Sequence, residues 1–231
     1  MKEKIFKNVC IIIPALNEEA KIGGVMQSVN KAMKKIPEVE SFHIIVIDDG
    51  SKDKTSQIIL DNKGVLIKNK KNLGYSESLN KGFKKAKKLK ADLFITFDAD
   101  GQHKASDLKK IIRMISKKNV DILVGIRPHT QRITETLLTN YAKKRIGVDD
   151  PLCGFKAYKK TVYNQIKNFD NTKSIGLEFL FKAYDEGFKI TQTSIKMDKR
   201  EDNPRFGTKI TGNLKIFRAL MRIIKKFSFK F

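Results

Sequence analysis

Short β-branched apolar runs alternate, through the first half of the chain, with stretches in which apolar residues recur every three or four positions. The runs predict strands over 9–13, 42–47, 65–68, 93–97 and 122–125. The stretches between them predict helices over about 19–35, 55–62, 76–89 and 106–116, several preceded by Asn, Ser or Asp residues suited to capping. Strands separated by helices need crossover connections, so the pattern reads as an α/β domain whose mostly parallel central sheet is flanked by helices. The second half is less regular. It predicts a helix over about 132–145, an irregular segment Asp149-Asp150-Pro151-Leu152-Cys153-Gly154-Phe155, a helix over about 175–186 and a strand near 190–196. A domain over 1–207 is thereby followed by a separate amphipathic helix over 208–231. At about 100° per residue, Leu214, Ile216, Phe217, Leu220, Met221, Ile223, Ile224 and Phe227 fill one half of that helix, and Lys215, Arg218, Arg222, Lys225 and Lys226 the other.

Composition narrows this picture. With 231 residues, 40% of them hydrophobic, the chain can bury one substantial core. Its apolar runs are strand-length, too short to span a bilayer, and no secretory signal pattern opens it, so the reading is a cytoplasmic protein. Cys10 and Cys153 read as reduced thiols, and His43, His103 and His129 lack metal-ligand spacing. The net charge of +23 points to phosphate-rich partners, although most of the excess is lysine and suits a solvated surface. Arginine occurs only at 113, 127, 132, 145, 200, 205, 218 and 222, and its fork is the group suited to bidentate phosphate recognition. The tail from Thr208 to Phe231 carries seven basic residues and no acid. Such a helix either lies on an anionic membrane or packs its apolar half on the domain, and the two are compatible.

Four segments fall where a parallel sheet presents its ligand, just after strands. Asp98-Ala99-Asp100 follows 93–97 and offers two hard carboxylates to a divalent cation. Pro14-Ala15-Leu16-Asn17-Glu18-Glu19 reads as a turn in which Pro14 ends the strand and Asn17 caps the next helix. Asp48-Asp49-Gly50-Ser51-Lys52-Asp53 places acids near a base or ribose, with Ser51 or Asp53 as a cap. Asn72-Leu73-Gly74-Tyr75, continuing to Asn80 and Gly82, reads as a close backbone approach to a nucleotide or as a tight helix start.

In order and spacing, the stretches IIIPALNEE, VIDDGSKDKT, NLGYSESLNKG, FITFDADGQH, ILVGIRP, DPLCGFKAYKK, GLEFLFKA and KREDNPRFGTK resemble family 2 glycosyltransferases of the GT-A fold. Within that family they look most like dolichol-phosphate and other polyprenyl-phosphate glycosyltransferases. The resemblance implies a GT-A domain over 1–207, with a nucleotide-sugar half to about 127 and an acceptor half from 128. It implies Pro14, Leu16, Glu18, Ile47 and Asp49 around the nucleotide. Asp98 and Asp100 would hold Mg2+ or Mn2+ against the diphosphate, with the Ala99 backbone close by and Gln102 behind them. Arg127 and Arg200 match the family's phosphate arginines. The usual later motif is broken, and Arg205, Gly207, Thr208 and Lys209 form a shifted version, leaving Arg200 and Arg205 as alternatives.

The implied reaction is metal-dependent, inverting transfer of a sugar from a nucleotide diphosphate to polyprenyl phosphate on the cytoplasmic membrane face, with a membrane-protein partner possible. A lipid phosphate is already an anion and needs no general base, whereas a saccharide hydroxyl, the alternative acceptor, needs one. Asp150 and Glu178 are the candidates, each also readable as a cap or an arginine partner. A basic module without catalysis is the remaining class. No nucleic-acid signature accompanies the charge, and carboxylates in a groove would repel a phosphate backbone, so no nucleic acid is expected.

Overall fold

The run at 9–13 forms the middle of β1 (Phe6–Ala15), where Val9, Ile11 and Ile13 face one helical layer and Cys10 and Ile12 the other. All five are fully buried, and burial of each Ile or Val contributes about 1.5–3 kcal/mol. The computed structural model describes residues 5–117, 119–128, 133–198 and 209–227. After β1 come α1 (Ile22–Met33), β2 (Val39–Asp48), α2 (Thr55–Asp61), β3 (Val65–Lys68), α3 (Tyr75–Lys88), β4 (Leu93–Thr96), α4 (Asp107–Ile115) and β5 (Ile122–Ile126). The second half adds α5 (Ile133–Ile146), β6 (Lys156–Lys159), α6 (Lys160–Ile166), α7 (Leu177–Asp185), β7 (Ile190–Ser194) and α8 (Lys209–Phe227).

The sheet has seven strands in the order β3-β2-β1-β4-β6-β5-β7. Every pairing is parallel except those of β6, which runs antiparallel to both β4 and β5. Apolar faces of α1, α2 and α4 cover one side, and those of α3, α5, α6, α7 and α8 the other. On the second side Phe83 packs tilted against Phe169 at 4.8 Å between centroids, and Phe169 stacks on Phe179 at 5.6 Å.

Three local expectations are corrected. Pro14 does not end β1, which continues to Ala15. The β1–β4 ladder stops at Ile12, so Pro14 has a strand neighbour on one side only, where a missing N–H is tolerated. Asn17 does not cap α1, which starts at Ile22; it adopts φ 52° and accepts a hydrogen bond from the Lys52 N–H at 2.9 Å. Gly82 approaches the sheet and not a ligand: a Cβ there would lie 2.3 Å from Ile12 Cγ2 and 2.8 Å from Ile47 Cδ1. β6 and α6 lie where no element was expected. Lysines begin both, and the first, Lys156, is buried, so a polar letter concealed an inward position.

Helix α8 divides its apolar half. Ile216, Ala219, Leu220, Ile223 and Phe227 are buried in the layer shared with α5 and α7, within roughly 100° of arc. Leu214, Phe217 and Met221 remain 46, 47 and 51% exposed. They occupy the adjoining sector, and Arg218, Arg222 and Lys225 follow it around the helix. Packing on the domain and an outward apolar stripe therefore coexist.

Candidate active site

A cleft of about 780 Å³ opens at the carboxyl ends of β1, β2, β4 and β5. Its strand-borne side is built by loops that are bonded to one another before any ligand is considered. Ser51 Oγ accepts from Asn17 N at 2.8 Å, Thr55 Oγ1 from Glu18 N at 2.8 Å and Asp53 from Glu19 N at 3.1 Å. Asp49 accepts from Asn69 Nδ2 at 2.7 Å, Leu73 N at 2.9 Å and Gly74 N at 2.8 Å, fixing the entry to α3. Charge-assisted bonds of this kind are about twice as strong as neutral ones.

Of the residues expected around a nucleotide, Pro14, Leu16, Glu18 and Asp49 line the cleft, together with Asp98, Ala99, Asp100 and Arg127. Ile47 does not: its side chain is fully buried beneath α3. Gln102 lies just outside, donating its N–H to Asp100 Oδ1 at 3.1 Å and its side-chain amide to Asp198 O at 3.4 Å. Arg200, Arg205, Gly207 and Thr208 lie outside the described residues.

Asp98 is held from several directions. His103 Nε2 lies 3.0 Å from Asp98 Oδ2, and the Tyr75 hydroxyl donates to Oδ1 at 3.5 Å. The imidazole sits against Phe97 and Phe155, each 5.5 Å away between ring centroids. Its Nδ1 is buried with no partner among the described residues, which assigns the proton to Nε2 and makes His103 the donor. Gly154 packs so closely that a Cβ would lie 2.0 Å from Asp98 Oδ2. Burial acts to raise the Asp98 pKa, yet the His103 hydrogen bond and the charges of Lys156 and Arg127 outweigh it and hold the carboxyl below its usual range. Lys156 is itself buried, donates to the Cys153 carbonyl and has a pKa lowered by desolvation.

The donor set suits a hard divalent cation. Asp98 and Asp100 both retain exposure, so carboxylate oxygen is the available ligand, with other coordination positions left to phosphate and water, while Gln102 stands outside the cleft. Among the described residues no three His, Cys, Asp or Glu side chains cluster as a metal cage.

Arg127 enters the cleft already paired. Its Nε donates to Asp150 Oδ2 at 2.7 Å, one Nη to Asp150 Oδ1 at 2.8 Å and the same Nη to Glu135 at 3.3 Å. Burial disfavours its charge, but Asp150 and Glu135 more than compensate and raise its pKa. Asp150 is 1% exposed and stands behind the arginine. Glu178 is likewise 1% exposed and absent from the cleft lining; it receives Lys182 and Lys226 at 2.7 Å each and the Asn171 N–H at 2.7 Å. Burial pushes its pKa up, and these three donors override that, bringing it to about 2. His103, Tyr75, Gly154 and Lys156 complete the surroundings of Asp98. All four stood inside motifs noted in the sequence, but no role at Asp98 was assigned to any of them there.

The family model for glycosyl transferase family 2 matches residues 10–185. An uncharacterized protein of Methanocaldococcus jannaschii is 30% identical, covering 96% of this chain and 93% of its own. A UDP-N-acetylglucosamine–dolichyl-phosphate N-acetylglucosaminyltransferase of Methanococcus voltae is 28% identical, covering 94% and 96%. Among solved structures, glucosyl-3-phosphoglycerate synthase from Mycobacterium tuberculosis, in complex with Mn2+ and UDP-glucose, superposes with a TM-score of 0.74 over 96% of this chain and 79% of that one, at 15% identity. That likeness establishes a GT-A-like fold. With the strand-end carboxylates gathered in one cleft and the family model covering most of the sequence, the chain belongs to glycosyl transferase family 2 and is a glycosyltransferase.

Proposed function

We propose that this glycosyltransferase moves a sugar from a nucleotide diphosphate to a polyprenyl phosphate, with inversion, using Mg2+ or Mn2+ at Asp98 and Asp100. The observation that carries the reading is one cleft lined both by those two carboxylates and by α8, the helix with three exposed apolar residues. Relatives of this chain bear the names of dolichyl- and undecaprenyl-phosphate sugar transferases, which supports the lipid-phosphate class.

An acceptor phosphate oxygen attacks the anomeric carbon as the bond to the diphosphate oxygen breaks, and the leaving nucleotide takes the electron pair. No proton has to be removed, because a phosphomonoester with a second pKa of about 6 is largely dianionic near neutrality. Asp150, held by the Arg127 fork, acts as a positioning residue. This commitment, and that of Glu178 to two lysines, favours the phosphate acceptor over a hydroxyl. Negative charge grows on the departing diphosphate, where a bound divalent cation supplies electrostatic stabilisation. Arg127 faces the same charge, and the stitched loops around Asp49 keep the nucleotide end fixed. Arg200 or Arg205 would add a further cation. The site of action is a membrane surface at the cytoplasmic side; among the described residues no helix is long and apolar enough to cross a bilayer.

The test is incubation with UDP- and GDP-sugars, Mn2+ or Mg2+ and a short polyprenyl phosphate. A new glycolipid mass that disappears with chelator is expected; transfer undiminished by complete metal removal would overturn the metal-dependent reading.

A further inference from the structure

The cations of the cleft are unevenly committed. Arg127 is already gripped by Asp150 and Glu135, so an incoming anion meets a guanidinium whose charge is largely balanced. Lys173, Arg218 and Arg222 line the same cavity from the 170–176 turn and from α8. None of them belongs to the motifs that carry the donor site.

The turn beneath them is built rigidly. Asp170 is 3% exposed and accepts from Ser76 Oγ at 2.6 Å, Ser174 N at 2.7 Å and Gly176 N at 3.1 Å, fastening the turn to α3. Lys173 and Ile175 hold left-handed backbone at φ 55° and 60°. A β-branched residue there is strained, and such strain persists only where surrounding bonds over-determine it. Arg222 Nη1 donates to Thr172 O at 3.2 Å, and Lys226 reaches Glu178 of α7 at 2.7 Å, so α8 is tied to the turn and to the helix that follows it. The adjoining sector of α8 presents exposed Leu214, Phe217 and Met221.

Resting on the transferase reading above, we infer that Lys173, Arg218 and Arg222 form the seat for the phosphomonoester of the acceptor. A dianion needs more than one cation, and guanidinium forks match its oxygens in pairs. The exposed apolar stripe of Leu214, Phe217 and Met221 adjoins the two arginines around α8, so a lipid-borne phosphate is the favoured source.

The test uses the 231-residue chain with phosphatidylcholine vesicles containing or lacking a short polyprenyl phosphate, and with phosphatidylserine vesicles as a charge control. The R218Q/R222Q double variant is expected to bind polyprenyl-phosphate vesicles at least about ten-fold more weakly. It should lose no more than about two-fold toward phosphatidylserine, and the affinity for UDP or GDP with Mn2+ should stay within about two-fold. Because Arg222 also bonds the turn, K173Q provides a second variant, expected to lose about three-fold on polyprenyl phosphate with its melting temperature unchanged. Competition with soluble 3-phosphoglycerate distinguishes the source: displacement that depends on Arg218 and Arg222 supports a seat open to any phosphomonoester, and failure to displace supports a lipid-borne one. Equal losses on both anionic vesicle types, or unchanged polyprenyl-phosphate binding in both variants, would overturn the inference. Failure of the unmodified chain to bind either nucleotide with Mn2+ would sink the transferase reading instead, a separate result.

Discussion

The two sides of the cleft are made differently. The strand-borne side consists of short loops leaving β1, β2 and β3, each anchored by backbone-to-side-chain hydrogen bonds to the next, with the loop leaving β4 beside them in the cleft, and it presents carboxylates. The helix-borne side consists of one strained turn and the surface of α8, and it presents lysine and arginine. Sheet-borne groups have little freedom to move, which suits a cation and a diphosphate that demand fixed geometry. Groups on a surface helix can follow a larger, variable acceptor. In the proposed reaction, the contrast separates holding a leaving group from receiving a nucleophile.

The largest effect expected from disturbing this contrast is on the strand side. Asp98→Asn should lower turnover by about 1,000-fold with the circular dichroism spectrum and melting temperature little changed; retained turnover would detach Asp98 from the chemistry. Gly154→Ala comes next. Its new methyl would overlap Asp98 Oδ2, which lies 2.0 Å from the built Cβ position, and a misplacement near 1 Å costs about 100-fold in rate. The effect should fall on kcat more than on the acceptor KM.

On the helix side the changes are smaller and of another kind. Phe217→Ser with Met221→Ser should weaken vesicle binding by about ten-fold while altering stability by less than about 0.5 kcal/mol, since both residues are exposed. Co-sedimentation and thermal melting measure the two separately. The smallest effect concerns Glu178, the ion centre beneath α8. Its folded pKa of about 2 lies below the ordinary glutamate value of 4.5. The stability it contributes is therefore complete above about pH 4.5 and is lost as the pH falls toward 2. Thermal melts across that interval should show a shallower acid dependence in Glu178→Gln; an identical slope would remove Glu178 as the source.

The same division decided what could be read from the sequence. Strand-end chemistry was legible because a strand of Val, Ile and Phe announces itself, and whatever follows it must lie at the mouth of a parallel sheet. Asp49, Asp98 and Asp100 were placed at that mouth in this way, and all three line the cleft. Ile47 failed by one position: it stands just before the strand end, and period-two alternation turns it into the core under α3. Asn17 failed because a good cap residue has a second use, and here its side chain is taken by the Lys52 N–H. β6 was hidden because Lys156 is buried beside charged groups, an environment no hydropathy pattern encodes. The amphipathic tail was legible as a helix. Its division into a buried and an exposed apolar sector depends on where α5 and α7 stand, which only the folded chain specifies.

Gly154 lies immediately before Phe155 and β6, the strand that slots in antiparallel between β4 and β5, and it presses on Asp98 from there. The surroundings of Asp98 are thus finished by a segment synthesised well after it. A nascent chain on the ribosome could display its nucleotide-facing loops early, but it would lack a completed catalytic centre until that late insertion took place.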